Sequence, residues 1–91
     1  MYLIFDTEPT GLPRHYNAPV SDTDNWPRMV QLAWQLHGPM GELIEAKNFI
    51  VRPEGYDIPF NAEKIHGIST ERALREGADL AFVLGEFSKA V

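Results

Sequence analysis

The segment "YLIFDTEPTGLP", Tyr2 to Pro13, decides the fold of this chain, because an apolar strand meets a pair of acids there. Residues 2–5 form a continuous apolar run rather than an alternating one, which is typical of a central strand buried on both faces. Asp6 and Glu8 follow at once, although carboxylates cost solvation energy at such a position unless a partner compensates them. Side chains alternate along a strand, so these two carboxylates point to the same side. Residues 10–13, Thr-Gly-Leu-Pro, then end the strand.

The composition predicts one small globular domain. The chain has 91 residues, of which 44% are hydrophobic, so we expect a modest core rather than disorder. It contains no cysteine, which excludes disulfides and thiolate metal sites. The apolar start at residues 1–5 is too short for a signal peptide, and no segment reaches the length of a transmembrane helix. We therefore expect a soluble cytoplasmic protein that has no membrane partner.

The pattern after the first strand predicts an antiparallel meander of three strands, with the first in the middle of the complete sheet. A second strand runs from Met29 to His37, where apolar and polar residues alternate with a period of two. Residues 38–41, Gly-Pro-Met-Gly, form a turn, and Glu42 to Arg52 form the third strand, whose irregular pattern indicates a bulge near Asn48. Arg14 to Pro27 is polar and forms a long loop, a length that is often functional.

Helices are predicted in the last third of the chain. Asn61 to Ile65 form a short helix before a glycine. Ser69 is a suitable N-cap for a second helix over Thr70 to Glu76, which Gly77 ends. A longer helix starts near Asp79, and apolar residues at positions i, i+3, i+4 and i+7 give it a stripe that needs a sheet to cover. The residues of this stripe are Leu80, Val83, Leu84 and Phe87.

Asp6 and Glu8 are candidate ligands of a divalent cation. Like charges held together are unfavourable unless a cation lies between them, and carboxylate oxygens suit Mg²⁺ or Mn²⁺. The net charge of −5 argues against a broad basic surface for nucleic acid, whereas carboxylate-held cations would invert the charge locally. Two ions that clamp a phosphodiester are a well-known use of such a cluster. The D-x-E pair alone is more often two solvated loop acids beside a turn.

A longer string, "FDTEPTGL" at residues 5–12, resembles the first motif of the DEDD 3′–5′ exonucleases, which is usually written FDTETTGL. This family includes the proofreading epsilon subunit of bacterial DNA polymerase III. The segment "PRMVQLAWQL", residues 27–36, resembles the second strand of the family. The segment "NAEKIHGIS", residues 61–69, resembles the part that follows the third strand. These segments occur in the family's order, and the resemblance extends over essentially the whole chain.

The resemblance implies an α/β fold: the N-terminal half of a ribonuclease H-like fold, a three-stranded antiparallel meander followed by helices, truncated before the parallel strands. Residues 1–91 would be the N-terminal portion of an exonuclease domain. The full-length protein would then cleave single nucleotides from DNA or RNA 3′ ends by two-metal hydrolysis. Its partner would be single-stranded or 3′-terminal nucleic acid, and a DNA polymerase stays open as another. The alternatives are a non-catalytic interaction module of this fold, or an exonuclease of RNA or short oligonucleotides rather than a DNA proofreader.

Carried over residue by residue, the resemblance implies that Asp6 and Glu8 are catalytic ligands of two Mg²⁺ or Mn²⁺ ions. Asp6 would bridge both ions, and Glu8 would serve the ion that activates the attacking water. Backbone groups and apolar contacts would line a pocket for the 3′-terminal nucleotide. The residues of this pocket would be Thr7, Thr10, Gly11 and Leu12. His66 would lie near the same nucleotide, and the alternative for it is a structural histidine beside a helix end.

The sequence departs from the family pattern in two ways. Pro9 stands where the family usually has threonine, and it lacks an N–H and a hydroxyl. We expect metal binding to be spared, with the nucleotide contacts either weakened or unaffected. Secondly, the family needs two further aspartates and a histidine or tyrosine base from later motifs, and the chain stops at Val91 before them. The residues that lack the context to replace them are Asp22, Asp24, Asp57, Asp79, His15, His37 and His66.

The missing motifs have consequences for activity and association. With half of the ligands absent, we expect the 91-residue chain to be inactive by itself and to bind metal weakly. The first strand would lack the parallel strand that should pair with it, which leaves an apolar edge open. The apolar stripe of the last helix would have only part of its sheet to cover. These features predict self-association or exchange of elements between chains.

Overall fold

The protein consists of a three-stranded sheet followed by three helices, as the sequence predicts. The computed structural model describes residues 1–22 and 25–91, and Asp24, one of the aspartates considered above, lies outside them. The elements are β1 (Tyr2–Pro9), β2 (Met29–His37), β3 (Leu43–Ile50), α1 (Phe60–His66), α2 (Thr70–Glu76) and α3 (Leu80–Ala90). None of the helices in these described ranges is long and apolar enough to cross a membrane.

The sheet is antiparallel with the strand order β1-β2-β3, so β2 is its central strand. Within the described residues β1 pairs with β2 alone and forms an edge of the sheet. Ile4 and Phe5 are accordingly 61% and 58% exposed. The prediction that β1 is buried on both faces is therefore wrong for this chain. Its apolar sequence would need a neighbour on the other edge and a layer on each face, and the chain supplies one neighbour and one layer.

The strands depart from regular pairing at two places. One is between Glu8 and Pro9, where proline has no N–H to donate to the ladder. The other is next to the β2–β3 hairpin, where Ile44 is an extra residue of β3. The bulge predicted near Asn48 is wrong, because Asn48 pairs with Ala33 in regular register. The irregularity belongs to the end of the strand, beside the glycine-containing turn, rather than to its middle.

Helix α3 covers one face of the sheet through aromatic contacts. The ring of Phe87 lies edge-on to Trp34 at 5.3 Å and to Phe5 at 5.5 Å between centroids. Phe82 makes a similar contact with Phe49 at 5.8 Å. Rings in such edge-to-face arrangements attract one another beyond the effect of burial. These contacts fix α3 on the face of the sheet to which Phe5 and Trp34 point.

The buried face of α3 differs from the predicted stripe. Val83 is fully buried and Phe87 is half-buried, as predicted. Leu80 and Leu84, however, are 42% and 44% exposed, and Ala90 packs against the core instead. The helix lies on three strands only, so its contact surface is narrower than a stripe of four large residues.

Helices α1 and α2 pack near the N-terminal end of β2. They form a second apolar cluster whose buried members are Val30, Ile58, Ala62, Ile68 and Ala73. Helix α1 ends at Gly67, which has the left-handed conformation with φ 75°, as the predicted C-cap requires. The Ser69 hydroxyl accepts a hydrogen bond from the Arg72 N–H at 3.1 Å, which confirms Ser69 as the N-cap of α2.

The long loop between β1 and β2 is held by polar contacts in its described parts, residues 14–22 and 25–27. Asn25 is buried, its carbonyl oxygen accepts the N–H of His15 at 2.7 Å, and its amide donates to the His15 carbonyl oxygen at 2.9 Å. The indole N–H of Trp26 donates to the Pro19 carbonyl oxygen at 2.8 Å. These parts contain neither helix nor strand, which agrees with the predicted loop.

Candidate active site

Asp6 and Glu8 lie within β1 near its C-terminal end and point to one face of the sheet. β1 continues to Pro9, one residue beyond Glu8, so both acids are strand residues. Phe5 contacts α3, and alternation therefore directs Asp6 and Glu8 to the opposite face, which α3 does not cover. Asp6 is exposed and Glu8 is half-buried. Because both acids belong to one strand and are two residues apart, they share the orientation that the period of two predicts.

The two carboxylates are a suitable but incomplete donor set for a divalent cation. Carboxylate oxygens are hard ligands of the kind that Mg²⁺ and Mn²⁺ prefer. Among the described residues, however, no three side chains of the histidine, aspartate or glutamate type come together as a cation site. Within the part of the chain that the structure describes, the two candidate ligands thus lack a third beside them.

A groove runs beside Asp6 on the uncovered face of the sheet and has a volume of about 470 Å³. Small side chains on neighbouring strands, Ala33 of β2 and Ala46 of β3, leave the space open. Ile4 and Asn48 lie along its sides. Sequence reasoning missed this groove, although a single alanine in each of two neighbouring strands was the available signal. The face that carries the two acids is therefore accessible to a ligand.

The turn after β1 is fastened to the start of β2 through Thr10. The Thr10 N–H donates to the Arg28 carbonyl oxygen, and the Arg28 N–H donates to the Thr10 hydroxyl, both at 2.9 Å. Gly11 has open space around it, since a Cβ built there would have no atom within 4 Å. Leu12 is 81% exposed. Thr10 thus holds the turn in place, whereas Gly11 and Leu12 are free to touch a ligand.

Two of the predicted pocket residues are placed differently from the acids. Thr7 follows Asp6 by one residue, so its side chain points to the α3 face and only its backbone is available at the acidic face. His66 ends α1, and its Nδ1 accepts the N–H of Ile68 at 3.1 Å. The Nε2 of His66 is buried without a hydrogen-bond partner in the described structure, and His66 forms no ligand cluster with the acids. The contact with Ile68 is one that a structural histidine beside a helix end would make, and a role of His66 near the nucleotide stays a prediction.

Solved structures of exonuclease I share the fold of this chain. Escherichia coli exonuclease I in complex with a dT13 oligonucleotide matches 96% of the chain at 22% sequence identity, with a TM-score of 0.72. An ExoI/SSB-Ct complex matches the same share at 21% identity, with a TM-score of 0.73. The fold is that of the N-terminal part of a ribonuclease H-like exonuclease. The chain spans 17% of the length of these exonuclease I chains.

The likeness to exonuclease I confirms the predicted fold class. No protein-family model and no curated protein sequence matches the chain. The comparison therefore supports the exonuclease fold in general and gives no separate support to the epsilon-subunit type. In this fold, Asp6 and Glu8 lie near the end of the first strand.

Proposed function

We propose that this chain is the N-terminal portion of a 3′–5′ exonuclease domain, residues 1–91, and that the complete protein hydrolyses phosphodiester bonds at nucleic-acid 3′ ends. The observation that carries the proposal is the placement of Asp6 and Glu8 on one open face near the end of β1. The likeness of the fold to exonuclease I supports it.

The residues of this chain would bind and orient the end of the strand. Asp6 and Glu8 would hold the divalent cations, which when bound supply an activated water and offset the negative charge of the phosphodiester. The open backbone at Gly11 and the exposed Leu12 would contact the terminal nucleotide. Thr10 would fix the position of both by its hydrogen bonds to Arg28.

Single-stranded DNA is the substrate that we propose. Exonuclease I structures with the same fold were determined with dT13 and dA16 oligonucleotides. These ligands differ in their bases, but both are DNA. An exonuclease of RNA or short oligonucleotides is the alternative. Competition between a DNA and an RNA strand of equal length and sequence for the complete protein would distinguish the two, because RNA should compete poorly if DNA is the substrate.

The chain by itself should be inactive, because it presents only two of the four carboxylates that this class of site uses. We would measure degradation of a 3′-labelled DNA strand in Mn²⁺, and Mn²⁺ binding by electron paramagnetic resonance, for the natural chain and for Asp6→Ala. Asp57→Ala is the matched control, since it removes an exposed aspartate elsewhere. We expect no degradation by any of the three chains. We expect weak Mn²⁺ binding by the natural chain and by Asp57→Ala, and none by Asp6→Ala.

Two other outcomes would change the proposal. Activity that Asp6→Ala abolishes would mean that the chain completes its site, for instance with a second copy, and would contradict the expected inactivity. Mn²⁺ binding that is equal in the natural chain and in Asp6→Ala would refute the metal-site assignment. The non-catalytic interaction module would then be the better interpretation of the fold.

We further propose that the chain self-associates by antiparallel pairing of β1 with a second copy. The edge of β1 carries Tyr2, Ile4 and Phe5, each about 60% exposed, and no lysine or proline that would protect it before Pro9. Ile4→Lys should shift sedimentation toward the monomer, whereas Val20→Lys, at a loop residue that is 89% exposed, should not. A natural chain that sediments as a monomer at high concentration would refute the pairing.

A further inference from the structure

A small cleft lies where β2 begins, at the same end of the sheet as the candidate site. It has a volume of about 130 Å³, and its polar lining consists of Arg28, Arg52, Glu54 and Tyr56. The Tyr56 hydroxyl donates to the Met29 carbonyl oxygen at 3.2 Å, which fixes the tyrosine ring against the strand. The cleft thus combines cationic groups with an anchored aromatic ring.

The cleft and the candidate site are joined through the main chain. Arg28 exchanges two hydrogen bonds of 2.9 Å with Thr10, two residues after Glu8 in the motif. The next residue of β2, Met29, pairs with Pro9. A strand of nucleic acid that runs from Asp6 and Glu8 over the turn at Thr10 would therefore pass close to the main chain of Arg28, from which the side chain extends into the cleft.

The two arginines of the cleft differ in their electrostatic environment. The guanidinium of Arg52 forms an ion pair of 3.1 Å with Asp79. The guanidinium of Arg28 lies over the ring of Tyr56, 5.5 Å from its centroid, and it takes part in none of the ion pairs among the described residues. A guanidinium held flat on a ring keeps its N–H groups directed outward, where a planar anion can accept them.

Glu54 opposes the charge of Arg28 within the same cleft. Burial raises the pKa of Tyr56, Arg28 acts to lower it, and Glu54 acts to raise it, so both charged groups reach the tyrosine hydroxyl. An anion at Arg28 would meet repulsion from Glu54. The two side chains should therefore influence anion binding in opposite directions.

We propose that Arg28 binds a backbone phosphate of the DNA strand next to the nucleotide held at Asp6 and Glu8. The inference rests on the proposed function, since it requires a nucleic-acid strand at the candidate site. A single cation placed beside the acids suits a chain whose net charge is −5, because a broad basic surface is lacking. Contact with phosphate, rather than with a base, makes the contribution of Arg28 independent of sequence.

The test is the binding of a 5′-labelled oligothymidylate in Mn²⁺, followed by fluorescence anisotropy at several salt concentrations, with a gel to show that the strand stays intact. Arg28→Gln should weaken binding roughly tenfold, the effect of one charge-assisted hydrogen bond. It should also lower the slope of log K against log salt by about 0.7, as expected for one phosphate contact on a single strand. Glu54→Gln should strengthen binding roughly twofold, because it removes an exposed like charge.

Arg75→Gln is the matched control for the change in net charge. Arg75 lies on α2, is 65% exposed in its side chain, and pairs with Glu71 and Glu76. If Arg28→Gln and Arg75→Gln weaken binding equally, only the net charge matters and the inference is wrong. If Arg28→Gln binds like the natural chain, the inference fails while the proposed function stands. If the natural chain binds no DNA at all, the inference is wrong for this chain, whereas the function proposed for the complete protein is tested separately by the Mn²⁺-binding and nuclease assays.

Discussion

Val83→Ala should destabilise the protein more than any comparable deletion on α3. Val83 is fully buried against Leu32, Trp34 and Val51. The substitution removes two buried methyl groups, which at about 0.8 kcal/mol each gives roughly 1.6 kcal/mol of lost transfer free energy. The cavity left in a packed cluster adds up to about 1 kcal/mol. We therefore expect the free energy of unfolding to fall by about 2–3 kcal/mol.

Urea unfolding followed by tryptophan fluorescence would measure this change, since Trp34 lies in the same cluster. With a slope of about 1–1.5 kcal/mol per molar urea for a domain of this size, the midpoint should fall by about 1.3–3 M. Unfolding should be recorded at two protein concentrations, because self-association through β1 would make the midpoint depend on concentration. The slope itself should stay unchanged if the substitution alters stability alone.

Two control variants show whether the loss of stability comes from the burial of Val83, rather than from the type of substitution or from its place on α3. Val20→Ala makes the same deletion at a residue that is 89% exposed, and its effect should stay within about 0.5 kcal/mol. Leu84→Ala removes more carbon atoms from the next position of α3, yet Leu84 is 44% exposed, so we expect a loss of about 1 kcal/mol or less. A loss for Leu84→Ala that equals or exceeds the loss for Val83→Ala would refute the packing of α3 described above.

Three further substitutions test local features by the same unfolding assay. Ser69→Ala should cost about 1 kcal/mol, because it removes the N-cap acceptor of α2, and Ser69→Asp should restore most of the loss. Gly77→Ala should cost about 1–3 kcal/mol, because the new Cβ would meet the backbone nitrogen of Arg52 at 2.6 Å, and an unchanged midpoint would contradict that packing. Asn25→Ala should cost about 1–2 kcal/mol, because it removes two hydrogen bonds from the buried Asn25 side chain to the main chain of His15, whereas a neutral effect would mean that water replaces them.

Local signals in the sequence determined most of the secondary structure. The strand Met29–His37 and the helix Thr70–Glu76 have the bounds that were predicted. An alternating pattern sets the first, and a serine cap with a closing glycine sets the second. Both signals operate within a few residues, so no tertiary contact is needed to interpret them.

The candidate site was predictable in part for the same reason. The common orientation of Asp6 and Glu8 depends on the alternation of side chains along one strand. Alternation also directs the Thr7 side chain away from the acids, so Thr7 can reach the nucleotide pocket that the resemblance implies only through its backbone. Arg28 and Tyr56 could not be paired from the sequence, because they are distant along the chain and meet only when β2 and the loop after β3 pack together.

The sequence by itself determined the elements, their caps and the pair of acids at the end of the first strand, because periodicity and capping are local. Only the tertiary structure decided which residues are buried, since burial depends on the layers that the rest of the chain supplies. The apolar strand Tyr2–Pro9 is an exposed edge because, among residues 1–22 and 25–91, one strand pairs with it and one helix covers it. Leu84 stays exposed for the same reason, while Val83 beside it is fully buried.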